Sequence, residues 1–489
     1  MMISWLLLIF HAAVCSSLAV TASAAMPNAV SNPPVANPAA SFVTPHAVST
    51  DHHHALVLCT QGLEDVASEF LVRNQLVTGP IEVLSQPRVA LGEAAIGKLL
   101  VRIRPDQYAL ARLQQAPVVQ AVLAFVAAAD NLAPSGSWTD DGDGGAASVP
   151  EGVLSQVASL VGSSEHWKNA IELLESSGVE DVQSFRASCA VSGRTHEGAW
   201  GCDDAMRAMG GGVLASTSAR VPAWGVDLYR YDVELFGVLC DGCFACGLLL
   251  GGEWRTTANP KRRQFGLAPF CEGTGRPHLS GSSAPWWMPR LRPSTAMLLL
   301  LLAGVRAGET VLDPFGGSGT IAIEAAIHLP NVQAITADIH RPTASFAIRN
   351  IELARGSGLA AGSEVVARDW DATNLSAVES ASIDRVVADL PFGHRCRWDV
   401  ETQLPAFLSE LRRVLKRGTG RAVLLLPGYQ RVAKLLGGEG GEGAEGEEGA
   451  EGVKGAAALR GLLLEEKRRV GVGGFGCWAL TLSVSDSEV

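Results

Sequence analysis

The chain has 489 residues, 47% of them apolar and 18% charged, so most of it can bury a hydrophobic core. Its net charge of −11 argues at first sight against a nucleic-acid partner, but nine negative charges lie in two runs, 140–143 and 437–452. Without these runs, which are typical of solvated loops, the net charge is about −2 and excludes no class of partner.

The first fifty residues contain no Lys, Arg, Asp or Glu. Residues 5–14 are apolar and 21–25 are small, as in a targeting leader, but no basic region precedes them. An organelle leader and a spurious N-terminus with Met26 as the true start are both compatible with this pattern. The apolar stretch is short for a membrane span, so we expect no membrane association of the mature protein. Ten scattered cysteines exclude a disulfide framework and favour the cytoplasm, with the nucleus as a second location.

Two α+β regions are predicted after a low-complexity linker that ends at residue 54. The first, 55–150, opens with a strand at 55–59 and a helical apolar stripe at 63–71, and it ends in a polar insertion. The second, 151–252, contains helices at 166–178 and 202–214 and a strand at 184–193. Asp-Gly at 241–242, between the apolar runs 226–240 and 244–252, predicts a hairpin.

Three cysteines lie around this hairpin, at Cys240, Cys243 and Cys246. A structural metal site needs four ligands, and no second cysteine pair is near. We therefore favour small residues around a tight turn over a metal site.

From about residue 291 to the end, apolar strands alternate with helices, after a linker at 253–290. Helical stretches fall near 318–329, 341–355 and 401–415, and the acidic Gly/Glu run at 437–452 interrupts the pattern late. Strands alternating with helices predict a parallel, doubly wound sheet. The predicted fold class is therefore α/β, with a Rossmann-like sheet preceded by an α+β module.

The segment VLDPFGGSGTIAIEAA, 311–326, predicts a buried strand, a glycine loop and a helix start. Glycines let the backbone approach a ligand and place amide groups at a helix N-terminus. The loop is neither G-x-G-x-x-G nor a phosphate loop, because GK[ST] is missing. It opens with Asp313, which would repel a pyrophosphate and suits the cationic end of S-adenosyl-L-methionine.

Two further acids follow successive strands. Asp338 stands 25 residues after Asp313, where an acid can bind ribose hydroxyls. Asp371 follows the third strand and is placed to accept from an adenine amino group. Any one of these acids alone is more often a solvated strand end, but together they predict a cofactor crevice.

The fourth strand ends in VVADLPFG, 386–393. Methyl transfer to an exocyclic amine needs the nitrogen held in line with the methyl group on the sulfonium. The Asp389 carboxylate and the Leu390 carbonyl can each accept a hydrogen bond from this amine and so orient it. Pro391 stiffens the turn, and Phe392 offers a face for a flipped base. We predict Asp389, Leu390, Pro391 and Phe392 as the catalytic set, although the same residues also make an ordinary strand end and turn.

These motifs together resemble the THUMP-domain RNA guanosine N2-methyltransferases, from about residue 56 to the end. Residues 56–71, 184–198 and 290–304 are similar to the family's opening segment, THUMP core and lead-in to the catalytic domain. The family's acid-Leu-Pro-Phe-Gly motif stands at Asp389–Gly393. Phe315 and Gly316 depart from a Met-Cys pair common in the family.

The resemblance implies S-adenosyl-L-methionine as cofactor and a guanine held by Asp389 and Phe392. It implies N2-methylguanosine formation in the tRNA acceptor stem at position 6 or 7, with a sibling branch acting on a spliceosomal small nuclear RNA. It also implies a small zinc-ribbon activator subunit. The predicted cofactor-binding residues are Asp313, Pro314, Phe315, Gly316, Gly317, Gly319, Asp338 and Asp371.

RNA requires a basic surface, since phosphate contacts dominate its affinity. Candidate RNA-binding residues cluster near the junction of the predicted domains, although each alone is more often solvated surface charge: Lys261, Arg262, Arg263, Arg292 and Arg395. Two other functions stay open. An adenine amino-methyltransferase of DNA would share the acid-Pro-aromatic motif, and an RNA-binding scaffold would have lost catalysis.

Overall fold

The computed structural model describes residues 52–84, 96–130, 132, 151–192, 202–216, 224–240, 243–252, 291–391, 398–435, 461–472 and 475–486. All of them belong to one compact unit, residues 42–489. The predicted leader, the polar insertion, the linker at 253–290 and the acidic run lie outside the described residues. No described helix is long and apolar enough to cross a membrane.

The first layer is an eight-stranded sheet of order β2-β3-β1-β4-β8-β7-β5-β6. β1 and β4 are buried along their whole length, because both faces of the sheet are covered there. The strands are β1 (His54–Thr60), β2 (Glu82–Val83), β3 (Ile96–Arg102), β4 (Ala121–Ala129), β5 (Ser184–Ser192), β6 (Gly225–Val226), β7 (Val233–Cys240) and β8 (Cys243–Gly252).

Five described helices accompany this sheet. The second begins at Asp106, whose carboxylate accepts from the Ala109 amide at 2.8 Å, a side-chain N-cap. Trp167, which opens the fourth, is fully buried and donates to the Val161 carbonyl. The helices are α1 (Glu64–Arg73), α2 (Gln107–Gln114), α3 (Glu151–Gly162), α4 (Trp167–Ser176) and α5 (Cys202–Leu214).

Two findings differ from the sequence-based expectation. β4 pairs with β8, so strands from 55–150 and from 151–252 form one continuous sheet. Within the run at 226–240, Val226 ends the short strand β6 and the long strand begins at Val233, because the Asp227 carboxylate accepts from the Tyr229 and Arg230 amides and closes a turn between them. The Asp-Gly pair at the hairpin tip lies outside the described residues.

The second layer is a seven-stranded sheet of order β11-β10-β9-β12-β13-β15-β14. Its first five strands are parallel and its last two are antiparallel, which is a mixed form of the predicted doubly wound sheet. The α/β fold class is confirmed. The strands are β9 (Thr310–Asp313), β10 (Gln333–Ala337), β11 (Glu364–Arg368), β12 (Arg385–Asp389), β13 (Arg421–Leu426), β14 (Leu462–Val472) and β15 (Phe475–Val484).

Of the five described helices around these strands, three begin and end close to the predicted stretches 318–329, 341–355 and 401–415, and the first and last were not predicted. The first is apolar from Ala296 onwards, and eight of its residues, including Ser294 and Thr295, are buried because it packs between the two sheets. They are α6 (Pro293–Leu302), α7 (Thr320–His328), α8 (Arg341–Ser357), α9 (Val400–Val414) and α10 (Gln430–Leu435).

The two sheets share one hydrophobic cluster, and polar contacts join them at the end of β1. The Thr60 and Thr295 hydroxyls are 2.8 Å apart, and the Gly471 amide donates to the Gln61 carbonyl at 3.0 Å. Gly62 packs so closely on β14 that a Cβ there would lie 2.0 Å from the Arg469 carbonyl oxygen. These contacts form a seam that holds the seven-stranded sheet against the eight-stranded sheet, which we call the N-terminal sheet.

Candidate active site

The glycine loop at 314–319 connects β9 to α7 at the carboxyl edge of the parallel strands. The Gly316 amide donates to the Ala337 carbonyl at 2.8 Å, which pins the loop to the neighbouring strand β10. A Cβ on Gly316 would lie 1.7 Å from the Thr336 hydroxyl oxygen, so only glycine fits. This close approach is the physical reason for glycine at that position.

Two more glycines shape the turn into α7. Gly317 and Gly319 have φ of 54° and 84°, in the left-handed region. A Cβ on Gly317 would meet no atom closer than 3.9 Å, so a ligand can approach the backbone there. Asn350, which is buried in α8, donates to the Ser318 carbonyl at 2.9 Å and fixes the loop from below.

Phe315 points away from the loop. Its ring meets Trp398 and Phe407 edge to face, with centroids 5.1 and 5.0 Å apart, and packs on the core beneath the sheet. Pro314 is buried. Any contact of these two predicted cofactor residues with a ligand would therefore involve the backbone.

Asp338, immediately after β10, is held by the loop itself. Its carboxylate accepts from the Gly317 amide at 3.1 Å and from the His340 amide at 2.7 Å. Ile339 beside it is 66% exposed, an unusual position for a large apolar side chain. A rigid acceptor and an apolar surface thus stand side by side at the edge of the sheet.

Asp313 lies at the centre of the strand ends and is 2% exposed. Burial raises the pKa of its carboxyl well above the usual range, and the nearby Asp389 and Asp338 carboxylates raise it further, while the Phe315 amide at 3.2 Å lowers it. Three of the predicted acids therefore lie within electrostatic reach of one another. A cationic group would relieve their repulsion.

Asp371 is half-buried in the segment after β11. Its Oδ1 accepts from the Thr373 amide at 2.8 Å and from the Thr373 hydroxyl at 2.7 Å, a local turn that orients the carboxylate. It stands at the carboxyl edge, as expected from the sequence.

Asp389 ends β12, between β9 and β13. Its Oδ1 is buried and has no hydrogen-bond partner among the residues that the structure describes. Burial raises the pKa of the carboxyl from 3.8 to about 7. Behind it lies the fully buried Cys477, whose thiol pKa is raised to about 12 by burial and then by the Asp389 charge. An unsatisfied buried acceptor is costly and indicates a group that binds something.

The residues after Asp389 are partly described. The Leu390 amide donates to the Leu425 carbonyl at 2.9 Å, which extends the ladder and fixes the peptide. Pro391 is half-buried at the end of the described segment. Phe392 and Arg395 lie outside the described residues.

Among the predicted RNA-binding residues, only Arg292 is described. It is half-buried and immediately precedes α6, near the seam between the sheets. Lys261, Arg262 and Arg263 lie outside the described residues.

The cysteine run stands on the β7–β8 hairpin, where Cys240 is paired with Cys243 across the ladder. All three thiols are buried, and burial raises the pKa of Cys246 to about 12. Within the described ranges, no group of three or more His, Cys, Asp or Glu residues is arranged to hold a metal.

Three residues with a role at this site were not predicted: Thr336, Ile339 and Asn350. Thr336 in β10 and Asn350 in α8 support the loop, but the sequences of these two elements are typical of ordinary core segments. Ile339 could have been found from the sequence. It directly follows the acid Asp338 after a buried strand, at a position where a polar residue is usual.

The residues fit a bound nucleoside with a cationic tail. Gly317 leaves the backbone open, Asp338 presents an oriented acceptor, and the buried carboxyls of Asp313 and Asp389 favour positive charge between them. The edge they occupy is where open α/β sheets bind ligands.

Comparison with known proteins gives one family model and several relatives. Residues 288–452 match the RMKL-like methyltransferase domain. The tRNA (guanine(6)-N(2))-methyltransferase of Bos taurus is 28% identical over 53% of this chain and 47% of its own length. The U6 snRNA (guanine-N(2))-methyltransferase of Bos taurus is 33% identical over 30% of this chain and 28% of its own length. The chain thus spans about half the length, or less, of the curated relatives it matches.

Among solved structures, TrmN from Thermus thermophilus aligns with a TM-score of 0.52 over 88% of this chain and all of that chain, at 21% identity. At this identity the match confirms the fold. The family resemblance drawn from the sequence motifs is confirmed by the curated relatives.

Proposed function

We propose that this protein is an S-adenosyl-L-methionine-dependent RNA methyltransferase that forms N2-methylguanosine. The observation that carries the proposal is the buried, unpartnered Oδ1 of Asp389 at the carboxyl end of β12, beside the glycine loop. An acceptor without a partner, next to a nucleoside-binding edge, suits an amine donor on a target base. The methyltransferase family model and the guanine N2-methyltransferase relatives support the same chemistry.

The cofactor would lie across the glycine loop. Gly317 and Gly319 leave the backbone open to its approach, and Asp338 and the exposed Ile339 would hold its ribose and its adenine. Asp371 would accept from the adenine amino group. S-adenosyl-L-methionine supplies an electrophilic methyl group on a sulfonium centre. Its positive charge matches the carboxyl pair Asp313 and Asp389.

The target guanine would enter beside Asp389 with its exocyclic amine facing the carboxylate. The Asp389 carboxylate and the Leu390 carbonyl accept the two amine protons, so the nitrogen lone pair points towards the methyl group. The carboxylate also stabilises the positive charge that develops on the nitrogen. Pro391 stiffens the turn, and Phe392 stacks on the flipped base.

We propose tRNA as the substrate, with the target in the acceptor stem at position 6 or 7. Relatives of both kinds match up to 53% of this chain, at 28% identity for the tRNA enzyme of Bos taurus and 26% for the U6 snRNA enzyme of Mus musculus, so the choice of tRNA rests on the sequence resemblance. The N-terminal sheet would act as a THUMP-like RNA-binding module. The small nuclear RNA relative is a specific reason to retain spliceosomal RNA as the second candidate. Lys261, Arg262, Arg263, Arg292 and Arg395 would contact phosphates near the domain junction.

A small zinc-ribbon activator subunit is proposed as partner, on the family resemblance alone. We propose a cytoplasmic location, with the nucleus as a second site. An organelle would be favoured if the N-terminal leader acts as a targeting signal.

The test is transfer of a labelled methyl group from S-adenosyl-L-methionine to unmodified total RNA, with and without the co-expressed activator. Mass spectrometry then identifies the modified nucleoside in each size-separated RNA fraction. N2-methylguanosine in the tRNA fraction is the expected result.

Other outcomes separate the parts of the proposal. Label in small nuclear RNA would keep the chemistry and change the substrate. Methyladenine formed on a DNA substrate would contradict both the proposed chemistry and the proposed substrate. Failure to bind S-adenosyl-L-methionine in equilibrium dialysis, even with the activator, would contradict the enzyme itself.

A further inference from the structure

β14 carries three consecutive cations, Lys467, Arg468 and Arg469, and its pleat sends them to alternate faces. Arg468 faces the N-terminal sheet, where it pairs with Asp65 and with Glu466. Lys467 and Arg469 therefore share the opposite face. Arg468 therefore contributes to the contact between the two sheets. Lys467 and Arg469 do not face this contact, so it does not explain why they are cations.

Each outer cation lies over an aromatic ring. The Lys467 ammonium is 4.5 Å from the centroid of Tyr429, and the Arg469 guanidinium carbon is 5.9 Å from the centroid of Trp478. The two rings are themselves neighbours, with centroids 4.5 Å apart. Cation–π contacts restrict these long side chains before any ligand arrives. The four residues form a cation–ring cluster.

Nearby carboxylates are already engaged by other cations. Glu465 pairs with Arg421 at 3.0 Å, and Glu466 pairs with Arg468. Within the described part of the chain, neither Lys467 nor Arg469 makes an ion pair with a carboxylate, and both are exposed. The positive charge of the cluster is thus available to an anion from outside.

The cluster lies beside the proposed active site. Asp389 is in register with Leu425, Leu425 with Ala479, and Ala479 with Arg468, so one row of the sheet runs from the target strand to β14. Three strand spacings put about 14 Å between its ends. Tyr429 and Trp478 also pack on the same hydrophobic cluster as Leu390. The two cations therefore stand at the carboxyl edge, within a few nucleotides of a base held at Asp389.

We propose that Lys467 and Arg469 form a phosphate-binding pair that holds the RNA backbone beside the target nucleotide. This inference rests on the proposed function, because it takes RNA as the substrate. RNA fits better than an acidic protein, since two restrained cations, two residues apart on one face of a strand, lie next to a proposed base-binding site, where neighbouring backbone phosphates would lie. The rings hold the cations in place, since each cation lies over one of them.

The test compares RNA binding by the full chain and by the double variant Lys467→Ala/Arg469→Ala. Fluorescence anisotropy with unmodified tRNA gives Kd at a series of salt concentrations. We expect Kd to rise about tenfold at low salt, and the slope of log Kd against log salt to fall by about 1.4 to 1.8, the loss of two phosphate contacts.

Two matched variants serve as controls. Arg306→Ala/Arg417→Ala removes the same charge from exposed turns that precede β9 and β13, at the opposite edge of the sheet, and should leave Kd and slope unchanged. Lys467→Arg/Arg469→Lys keeps both charges and should keep the slope. Tyr429→Leu leaves the cations but removes one ring, so it should raise Kd only two- to threefold, roughly.

The proposal is overturned if the double variant binds RNA with the wild-type slope, or if the opposite-edge control loses as much affinity. Loss of binding to the purified activator subunit with unchanged RNA binding would make this face a protein-docking surface and would also overturn it. RNA binding that depends on the pair, without any methyl transfer, would support the phosphate site and contradict the proposed function. The two failures are therefore distinguishable.

Discussion

At the scale of single residues, Asp389 combines features that are costly to stability: a buried carboxyl, an unpartnered oxygen and a strand end. Stability alone would favour a neutral, hydrogen-bonded side chain there. We expect Asp389→Asn to reduce kcat by about 10²- to 10³-fold, since a preorganised acceptor for the developing charge is lost. Methyl transfer at saturating RNA and cofactor measures this, with equilibrium dialysis as a check that cofactor binding is retained. Wild-type turnover in the variant would contradict the role of Asp389.

The same carboxyl predicts the pH dependence of the reaction. Burial raises the pKa of Asp389 to about 7, and the ionised form is the stronger acceptor for its amine proton and the form that stabilises the developing positive charge. We therefore expect kcat/KM to rise with pH through about 7 and to level off above it. The residual activity of Asp389→Asn should lack this step. A profile that is flat between the usual carboxyl range and neutral pH would argue against an ionised Asp389.

Asp389 also predicts a pH-dependent stability. Its folded-state pKa lies above the unfolded value, so the folded chain keeps a proton that the unfolded chain has released between pH 3.8 and about 7. Stability is therefore lost as pH rises through that window, by about 4 kcal/mol at most. Relative to wild type, Asp389→Asn should gain free energy of unfolding as pH rises, and the gain should stop above neutrality.

Urea unfolding of both proteins at several pH values measures this difference. The contribution of Asp313 shifts in the same direction, and taking the difference between the two proteins largely removes it. A difference that does not change with pH would mean that the carboxyl is hydrated in the folded chain.

At the scale of elements, the β9–α7 loop depends on backbone proximity and not on side-chain contacts. We expect Gly316→Ala to push the loop off Thr336 and to weaken S-adenosyl-L-methionine binding by tenfold or more, roughly the effect of 1.4 kcal/mol or above. Isothermal titration calorimetry measures the affinity. The double variant Gly316→Ala/Thr336→Ala also removes the Thr336 hydroxyl that would clash with the new Cβ, so it should recover part of the lost cofactor affinity.

Gly356→Ala is the matched control for this loop. Gly356 lies within α8, and a Cβ there would meet nothing within 4 Å. Alanine is a better helix former, so this variant should be more stable by about 0.5–1 kcal/mol, with unchanged cofactor affinity. Equal loss of affinity in both variants would show that the loop geometry is not the cause.

At the scale of the whole molecule, the two sheets share one hydrophobic cluster and a close seam at the end of β1. Gly62 has a φ of 87°, and a Cβ there would lie 2.0 Å from the Arg469 carbonyl oxygen. We expect Gly62→Ala to separate the seam and cost more than about 1 kcal/mol. Scanning calorimetry should show one transition for the wild type and a broadened or divided one for the variant.

Arg468→Ala tests the same seam from the other side, because it removes the pair with Asp65 and keeps the backbone contact. A smaller loss of stability is expected, since the Asp65 side chain is largely exposed. If both variants unfold like the wild type, the sheets are not coupled through this contact.

Sequence patterns were sufficient to predict the α/β fold, the glycine loop and the order of the acids along the chain. These are local properties, because hydrophobic period, turn chemistry and the need for glycine act within about 15 residues. These patterns did not predict that strands from both N-terminal regions form one sheet, since pairing between β4 and β8 depends on packing between residues more than 100 positions apart.

Which side chains meet at the site depends on the packing of distant segments and could not be predicted from the sequence. In the sequence, Asn350 is one polar residue of a predicted helix, yet in the structure it supports the glycine loop. Phe315 is predicted to lie in that loop, yet its side chain packs in the core. The cation–ring cluster is likewise hidden in the sequence, because Tyr429 and Trp478 become neighbours only when β13 pairs with β15. The pKa of Asp389 has the same origin, because desolvation depends on what the fold places around a carboxyl and not on the residues next to it in the chain.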